Sequence, residues 1–182
     1  FSDRAELAQA AFGQGRVAVS PVQMALVAAT IANDGVMPQP FVVQDVRAHV
    51  NRPANGRSDR ILQTFQPSDG SPVVSSRTAA EVRSAMVDAV QGELGRLYAG
   101  AGAVSNYGIG GVETAGKTGT AELGPNTPPH SWFIGFAPAQ GSATPAIAVA
   151  VIVESGGSGS GRAAPIGGEV MAEWLRLQQR AN

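Results

Sequence analysis

The sequence predicts an α+β fold in which helices pack on an antiparallel β-sheet. Three strand candidates occupy residues 112–122, 131–137 and 146–154, and a helical pattern follows them. The loops between the strands are short, whereas a parallel pair would require a crossover of a dozen or more residues. We therefore expect a three-stranded antiparallel sheet with the last helix laid on it.

The third strand, AIAVAVIVE at 146–154, has the clearest alternation of residue size. One face carries the larger side chains, Ile147, Val149, Val151 and Val153. The other face carries Ala148 and Ala150, and such small residues leave room for a helix to pack closely.

The terminal helix is predicted to begin at Pro165, with Ile166, Val170, Trp174 and Leu177 on one face. The loop before it, SGGSGSG at 155–161, has the composition of a flexible linker. We expect this loop to be a mobile connection without chemistry.

Two more helices are predicted in the first half of the chain. Ser20 can cap a helix with Pro21 at its first position and Gln23 as its capping-box partner. The run to residue 32 is nearly all apolar, which indicates burial on more than one side.

A second helix is expected from Thr78, with Glu81 as the box partner, to Gly92. Strands are expected at 41–50 and 61–65 around a turn at 51–59, and one or two helical turns at 93–102.

Composition excludes several classes of function. The 182 residues suit about one domain, with a net charge of −1 and no basic stripe, so we expect no nucleic-acid partner. The chain has no cysteine and only two histidines, His49 and His130, without nearby acidic partners. We expect no metal and no cofactor, and structural or solvent-exposed roles for both histidines.

The segment GGVETAGKTGTAE at 110–122 contains the only lysine, Lys117, and permits two interpretations. Residues 111–118 fit the phosphate-loop pattern G-x-x-x-x-G-K-[ST], which requires a buried strand before it and a helix after it. The preceding SNYGIGG is a poor strand, and the glycines and prolines after Thr118 prevent a helix. The nucleotide-binding interpretation is therefore disfavoured.

The second interpretation is a K-T-G strand, Lys117-Thr118-Gly119, that lines a cleft. Alternation places Lys117 and Gly119 on one face and Thr118 and Thr120 on the other. Lys117 would be a fixed cation near a reacting hydroxyl, the threonine hydroxyls would bind a carboxylate, and the Thr120 N–H would face a developing oxyanion. A motif of only three residues is weakly specific for such a site. The alternative interpretation of Lys117 is a surface lysine in a turn.

Longer blocks favour the K-T-G interpretation. Five sequence blocks follow one another along the chain in this order: FGQGRVAVSPVQMALVAATIANDG, RTAAEVRSAMVDAV, KTGTAE, HSWFIGFAP and AIAVAVIVE. Together they resemble the transpeptidase domain of class B penicillin-binding proteins, with the nearest likeness to the actinobacterial penicillin-binding protein A group. The resemblance implies the penicillin-binding protein and serine β-lactamase-like fold, and a membrane-anchored protein of the cell envelope.

The resemblance also implies an activity and a set of site residues. Such enzymes cross-link peptidoglycan through a serine that attacks a stem peptide ending in D-Ala-D-Ala, and β-lactams acylate the same serine. Their sites combine S-x-x-K, S-x-N and K-T-G. By this likeness Lys117 and Thr120 are the catalytic residues, and Thr118, Gly119 and Thr120 bind the substrate.

Only the K-T-G motif is present in this chain. S-x-x-K requires a lysine, and the residue three positions before Lys117 is Thr114. We therefore expect residues 1–182 to be the C-terminal portion of a transpeptidase domain, whose partner is the missing N-terminal half. A non-catalytic binding or sensor domain, or a D,D-carboxypeptidase, remains an alternative. The FGQG and SPVQMA blocks argue against a β-lactamase.

Overall fold

The computed structural model describes residues 3–50, 58–66, 70–139 and 144–181, without the side chains of residues 49, 50, 58 and 59. The predicted turn at 51–59 lies mostly outside the described residues, and so does the side chain of His49. Four α-helices are present in the described part: α1 (Arg4–Ala11), α2 (Pro21–Ala32), α3 (Ser76–Gln91) and α4 (Ala163–Ala181). None of these helices is both long and apolar enough to cross a membrane.

The main sheet is antiparallel and has the order β5-β6-β7. Its strands are β5 (Ala115–Ala121), β6 (His130–Ala137) and β7 (Ile147–Val153). The register pairs Lys117 with Ile134, and Ile134 with Ala150. The predicted antiparallel α+β fold is confirmed.

Helices cover both faces of this sheet. On one face, Val149 of β7 joins a buried cluster with Met171 and Ala172 of α4. On the other face, Ala148 packs against a cluster that includes Ala28 of α2. The predicted division of β7 into a large-residue face and an alanine face is confirmed, and the alanine face receives α2.

Helix α4 lies on the sheet through a face that the sequence pattern did not single out. Its buried residues are Ala163, Ala164, Gly167, Gly168, Met171, Ala172 and Leu175. The predicted apolar face is 41–48% exposed at Ile166, Val170, Trp174 and Leu177. The face with the small residues packs on the sheet because glycine and alanine let the helix backbone approach the strands closely. The Phe133 side chain fills the space beside Gly167.

The N-terminal ends of the helices follow capping chemistry. The capping box of α2 is confirmed: the Ser20 side chain accepts from the Gln23 N–H, and the Gln23 side chain accepts from the Ser20 N–H. Helix α3 begins earlier than predicted, because Ser75 is its cap and accepts from the Thr78 N–H. Helix α1 was missed, although Asp3 caps it by accepting from the Glu6 N–H.

The remaining elements surround this core. A hairpin joins β2 (Asp45–Val50) to β3 (Ser58–Thr64), so the first strand starts later than predicted and the second starts earlier. The two-residue strands β1 (Val36–Met37) and β4 (Ser71–Pro72) form a small separate pair. Three short 3₁₀ turns, at Gly95–Leu97, Gly100–Gly102 and Val104–Tyr107, extend beyond the predicted helical turns at 93–102.

Replacing Arg83 by alanine is expected to lower the free energy of unfolding by about 1–3 kcal/mol. The Arg83 Nη2 atom donates to the carbonyls of Ile31 and Ala32 at the end of α2 and to Asp34 Oδ1 at 2.8 Å. Urea unfolding of the protein that contains this chain measures the loss. Arg77→Ala is the control, because the Arg77–Glu81 pair on the same helix is exposed and should contribute little. Equal losses in the two variants would contradict this role of Arg83.

Candidate active site

Strand β5 is an edge strand within the described residues, since it pairs only with β6. Its register places Lys117 and Gly119 on the same face as Ile134 and Trp132. Thr118 and Thr120 pair with residues of the opposite face. The backbone groups of the two threonines point away from β6, where another chain segment or a ligand can reach them.

Two side chains contact the outer edge of β5. The Lys117 Nζ atom donates to the Thr118 carbonyl at 2.6 Å, and the Gln14 Nε2 atom donates to the Thr120 carbonyl at 3.0 Å. Both acceptors belong to the edge of β5 that has no strand partner in the described part of the chain. The edge is therefore accessible to hydrogen-bond donors from outside the sheet.

A cleft of about 590 Å³ separates β5 from the segment that follows α1. One wall is formed by residues 12–15 and 17–19, the other by residues 117–123, and Trp132 and Ile134 line it between the walls. Lys117 is the one cationic side chain that lines this cleft among the described residues, and it is exposed. A positive charge beside an apolar wall suits a ligand with a carboxylate and a nonpolar body.

The FGQG segment forms its wall because two glycines adopt left-handed backbone conformations. Gly13 has φ +82° and Gly15 has φ +74°, values that strain other residues. The turns bring Gln14 between them to the edge of β5. Sequence reasoning missed the contact of Gln14 with β5, and the glycines on both sides of it were the available signal.

The loop at 155–161 is fastened to the back of β5, so the expectation of a loose linker was wrong. Ser131 is fully buried on β6, and its Oγ donates to the Ser158 carbonyl at 2.8 Å. The same Oγ accepts from the Ala163 N–H at 3.0 Å, at the start of α4. Gly159 is buried, and its N–H donates to Thr120 Oγ1 at 3.4 Å. Glycine in this loop provides close contact rather than flexibility.

The structure brings the predicted site residues Lys117, Thr118, Gly119 and Thr120 together along one wall of the cleft. Their chemical roles stay predictions. The phosphate-loop alternative fails, because the chain continues as strand β5 through Thr118 and Thr120 where a helix would be required.

His130 lies at the start of β6 and also lines the cleft. Its Nδ1 atom accepts from the Ser155 N–H at 3.0 Å, which ties the strand to the loop that follows β7. In the part of the chain with described side chains, no group of three or more His, Asp or Glu residues is arranged to hold a metal ion.

Comparison with known proteins agrees with this architecture. A family model described as the penicillin binding protein transpeptidase domain matches residues 2–172. The peptidoglycan D,D-transpeptidase PbpA of Mycolicibacterium smegmatis is 41% identical over 96% of this chain. The peptidoglycan D,D-transpeptidase PbpA of Mycobacterium tuberculosis is 36% identical. The chain spans about a third of the length of each of these relatives, 33% in both cases.

Solved structures agree as well. The crystal structure of PBPA from Mycobacterium tuberculosis matches 96% of this chain and 38% of its own, with a TM-score of 0.76 and 36% identity. An imipenem acyl-enzyme complex of penicillin-binding protein A from the same organism matches 94% of this chain and 34% of its own, with a TM-score of 0.72 and 35% identity. The sequence blocks, the edge strand with its K-T-G triplet and these matches lead to one conclusion: the chain belongs to the penicillin-binding protein transpeptidase domain family.

Proposed function

We propose that this chain forms the K-T-G wall of the active site of a peptidoglycan D,D-transpeptidase in the bacterial cell envelope. The observation that carries the proposal is the edge of β5 that is unpaired within the described residues, where Lys117, Thr118 and Thr120 line a cleft closed by the FGQG segment. The substrate is a stem peptide that ends in D-Ala-D-Ala, and β-lactams are competing acylating agents. The mycobacterial relatives named as D,D-transpeptidases support this assignment.

The geometry suits recognition of an extended peptide. A stem peptide can lie along the outer edge of β5 as an added strand and use the outward N–H and C=O groups of Thr118 and Thr120. The contact of Gln14 with the Thr120 carbonyl has to open for this. The cation of Lys117 and the threonine hydroxyls then bind the terminal carboxylate, and the Thr120 N–H stabilises the oxyanion of the tetrahedral intermediate.

The nucleophile is proposed to come from the part of the domain outside this chain. This serine attacks the carbonyl of the penultimate D-alanine, and the terminal D-alanine leaves as the acyl-enzyme forms. An amine of a second stem peptide then takes the acyl group and frees the serine. The absence of any S-x-x-K in the 182 residues supports this division of the site.

The remainder of the domain is also proposed to cover two open surfaces. The outer edge of β7 is unpaired within the described residues, and the apolar face of α4 is exposed at Ile166, Val170, Trp174 and Leu177. Proteins normally cover both a strand edge and a contiguous apolar patch. We also propose that the whole protein is anchored in the plasma membrane and that this domain lies on the extracytoplasmic face of that membrane.

Intact-mass measurement after penicillin treatment tests the proposal. The full-length protein is expected to gain the mass of one penicillin, whereas residues 1–182 alone are expected to gain none. An adduct on the isolated chain, or no adduct on the full-length protein, would overturn the assignment. Cross-linking of purified stem peptides by the full-length protein separates a transpeptidase from a sensor domain, which would be acylated without forming cross-links.

A further inference from the structure

We infer that Gly159 is a positioning residue, which acts through Thr120 from the back of β5 and orients the Thr120 hydroxyl toward a ligand carboxylate. The inference rests on the proposed function and concerns a loop that the K-T-G motif does not include. Gly159 is buried, although the SGGSGSG sequence around it is typical of a solvent-exposed linker.

Gly159 lies directly against the backbone of β5 and β6. A Cβ atom at this position would be 2.6 Å from the carbonyl oxygens of both Gly119 and Trp132, and 2.9 Å from the Gly119 nitrogen. All three atoms belong to the backbone, so no side chain can turn aside to make room. Only glycine permits this contact, and any larger residue must push the loop away from Gly119 and Thr120.

The hydrogen bond from the Gly159 N–H occupies one acceptor position of the Thr120 hydroxyl. Thr120 Oγ1 accepts from this N–H at 3.4 Å. A hydroxyl has one proton to donate and two lone pairs to accept with. Because one lone pair already has a partner on the loop, the proton remains available for an anionic acceptor on the cleft side.

The loop is held in place independently of Thr120. The Ser131 Oγ joins the Ser158 carbonyl to the Ala163 N–H, and the Gly159 carbonyl accepts from the Ala164 N–H at 2.9 Å. The loop is thereby fixed to the first turn of α4 and to β6. A fixed donor behind Thr120 lowers the cost of orienting its hydroxyl when a ligand binds.

The test compares two ligands in the full-length protein: a penicillin, and the methyl ester of the same penicillin, which lacks the carboxylate charge. The quantity measured is the ratio of their second-order acylation rate constants. Gly159→Ala is expected to lower this ratio between about 10- and 100-fold, the range for losing a hydrogen bond to a charged group. A purely structural defect would lower both rate constants together and leave the ratio unchanged.

Thr120→Val should lower the ratio to a similar extent, and adding Gly159→Ala to it should cause no further decrease. Gly161→Ala is the matched control in the same loop, because its new Cβ would meet the rotatable Ser158 Oγ at 3.0 Å and a backbone atom, the Ser158 carbonyl oxygen, only at 3.7 Å. It should keep the ratio of the unmodified protein.

Ser131→Ala serves as a second variant if Gly159→Ala does not fold. It adds no atoms, removes the Ser131 anchor of the loop and should lower the ratio in the same direction. An unchanged ratio in Gly159→Ala or, where that variant does not fold, in Ser131→Ala overturns the inference about Gly159. Failure of the unmodified protein to form any acyl adduct would overturn the proposed function instead, so the two failures are distinguishable.

Discussion

Replacing Lys117 by alanine should slow acylation of the full-length protein by penicillin by about two to three orders of magnitude. Lys117 is the only lysine of the chain and the one cationic side chain that lines the cleft among the described residues. Under the proposed function its charge both binds the substrate carboxylate and stabilises developing negative charge near the serine. Stopped-flow measurement with a fluorescent penicillin gives the rate constant.

The folded state should tolerate this change, because the Lys117 side chain is exposed and, among the described residues, it donates only to the neighbouring Thr118 carbonyl. The thermal midpoint of Lys117→Ala should therefore match that of the unmodified protein. Lys117→Arg is the charge-preserving control, and it should recover only part of the rate because a planar guanidinium fits differently from an ammonium. An alanine variant that is acylated at the original rate would remove Lys117 from the site.

Replacing Phe133 by alanine is expected to reduce the free energy of unfolding by about 3–5 kcal/mol. Phe133 is fully buried in the middle strand, and its ring lies in a socket made by four glycines: Gly102, Gly116, Gly135 and Gly167. A Cβ on any of them would come within 3.0 Å of the ring. These glycines come from a 3₁₀ turn, two strands and α4, so the ring fills a space where four elements meet.

Urea unfolding of the protein that contains this chain measures the loss. Phe133→Leu is the matched control, since it keeps an apolar side chain in the socket and should cost much less. Gly167→Ala tests the socket from its other side, and crowding of the ring should cost about 1–3 kcal/mol. A loss below about 1 kcal/mol for Phe133→Ala would show that the socket collapses around the smaller side chain.

Much of the fold could be predicted because local patterns and tertiary packing agree. The alternation in β7, the capping box at Ser20 and Gln23, and the short strand connections all appear in the structure. Helix α1 was missed although its signals were present, with Asp3 as a cap and Gly13 after its end. The N-cap of α3 was misplaced by three residues because Ser75 and Thr78 can both cap a helix, and only the observed hydrogen bond from the Thr78 N–H to Ser75 Oγ separates them.

The family resemblance, the antiparallel sheet and the K-T-G strand could be read from the sequence, because they depend on the order of the sequence blocks and on local periodicity. Packing between distant segments is what shows that α4 buries its glycines and alanines, and that the 155–161 loop is a fixed support behind Thr120. It also placed Gln14 on the edge of β5, 106 positions from Thr120 in the sequence. The first two share a physical reason: close backbone contact favours the smallest residues, and composition cannot distinguish a glycine that is flexible from one that is buried. The position of Gln14 depends instead on the left-handed backbone conformations of Gly13 and Gly15.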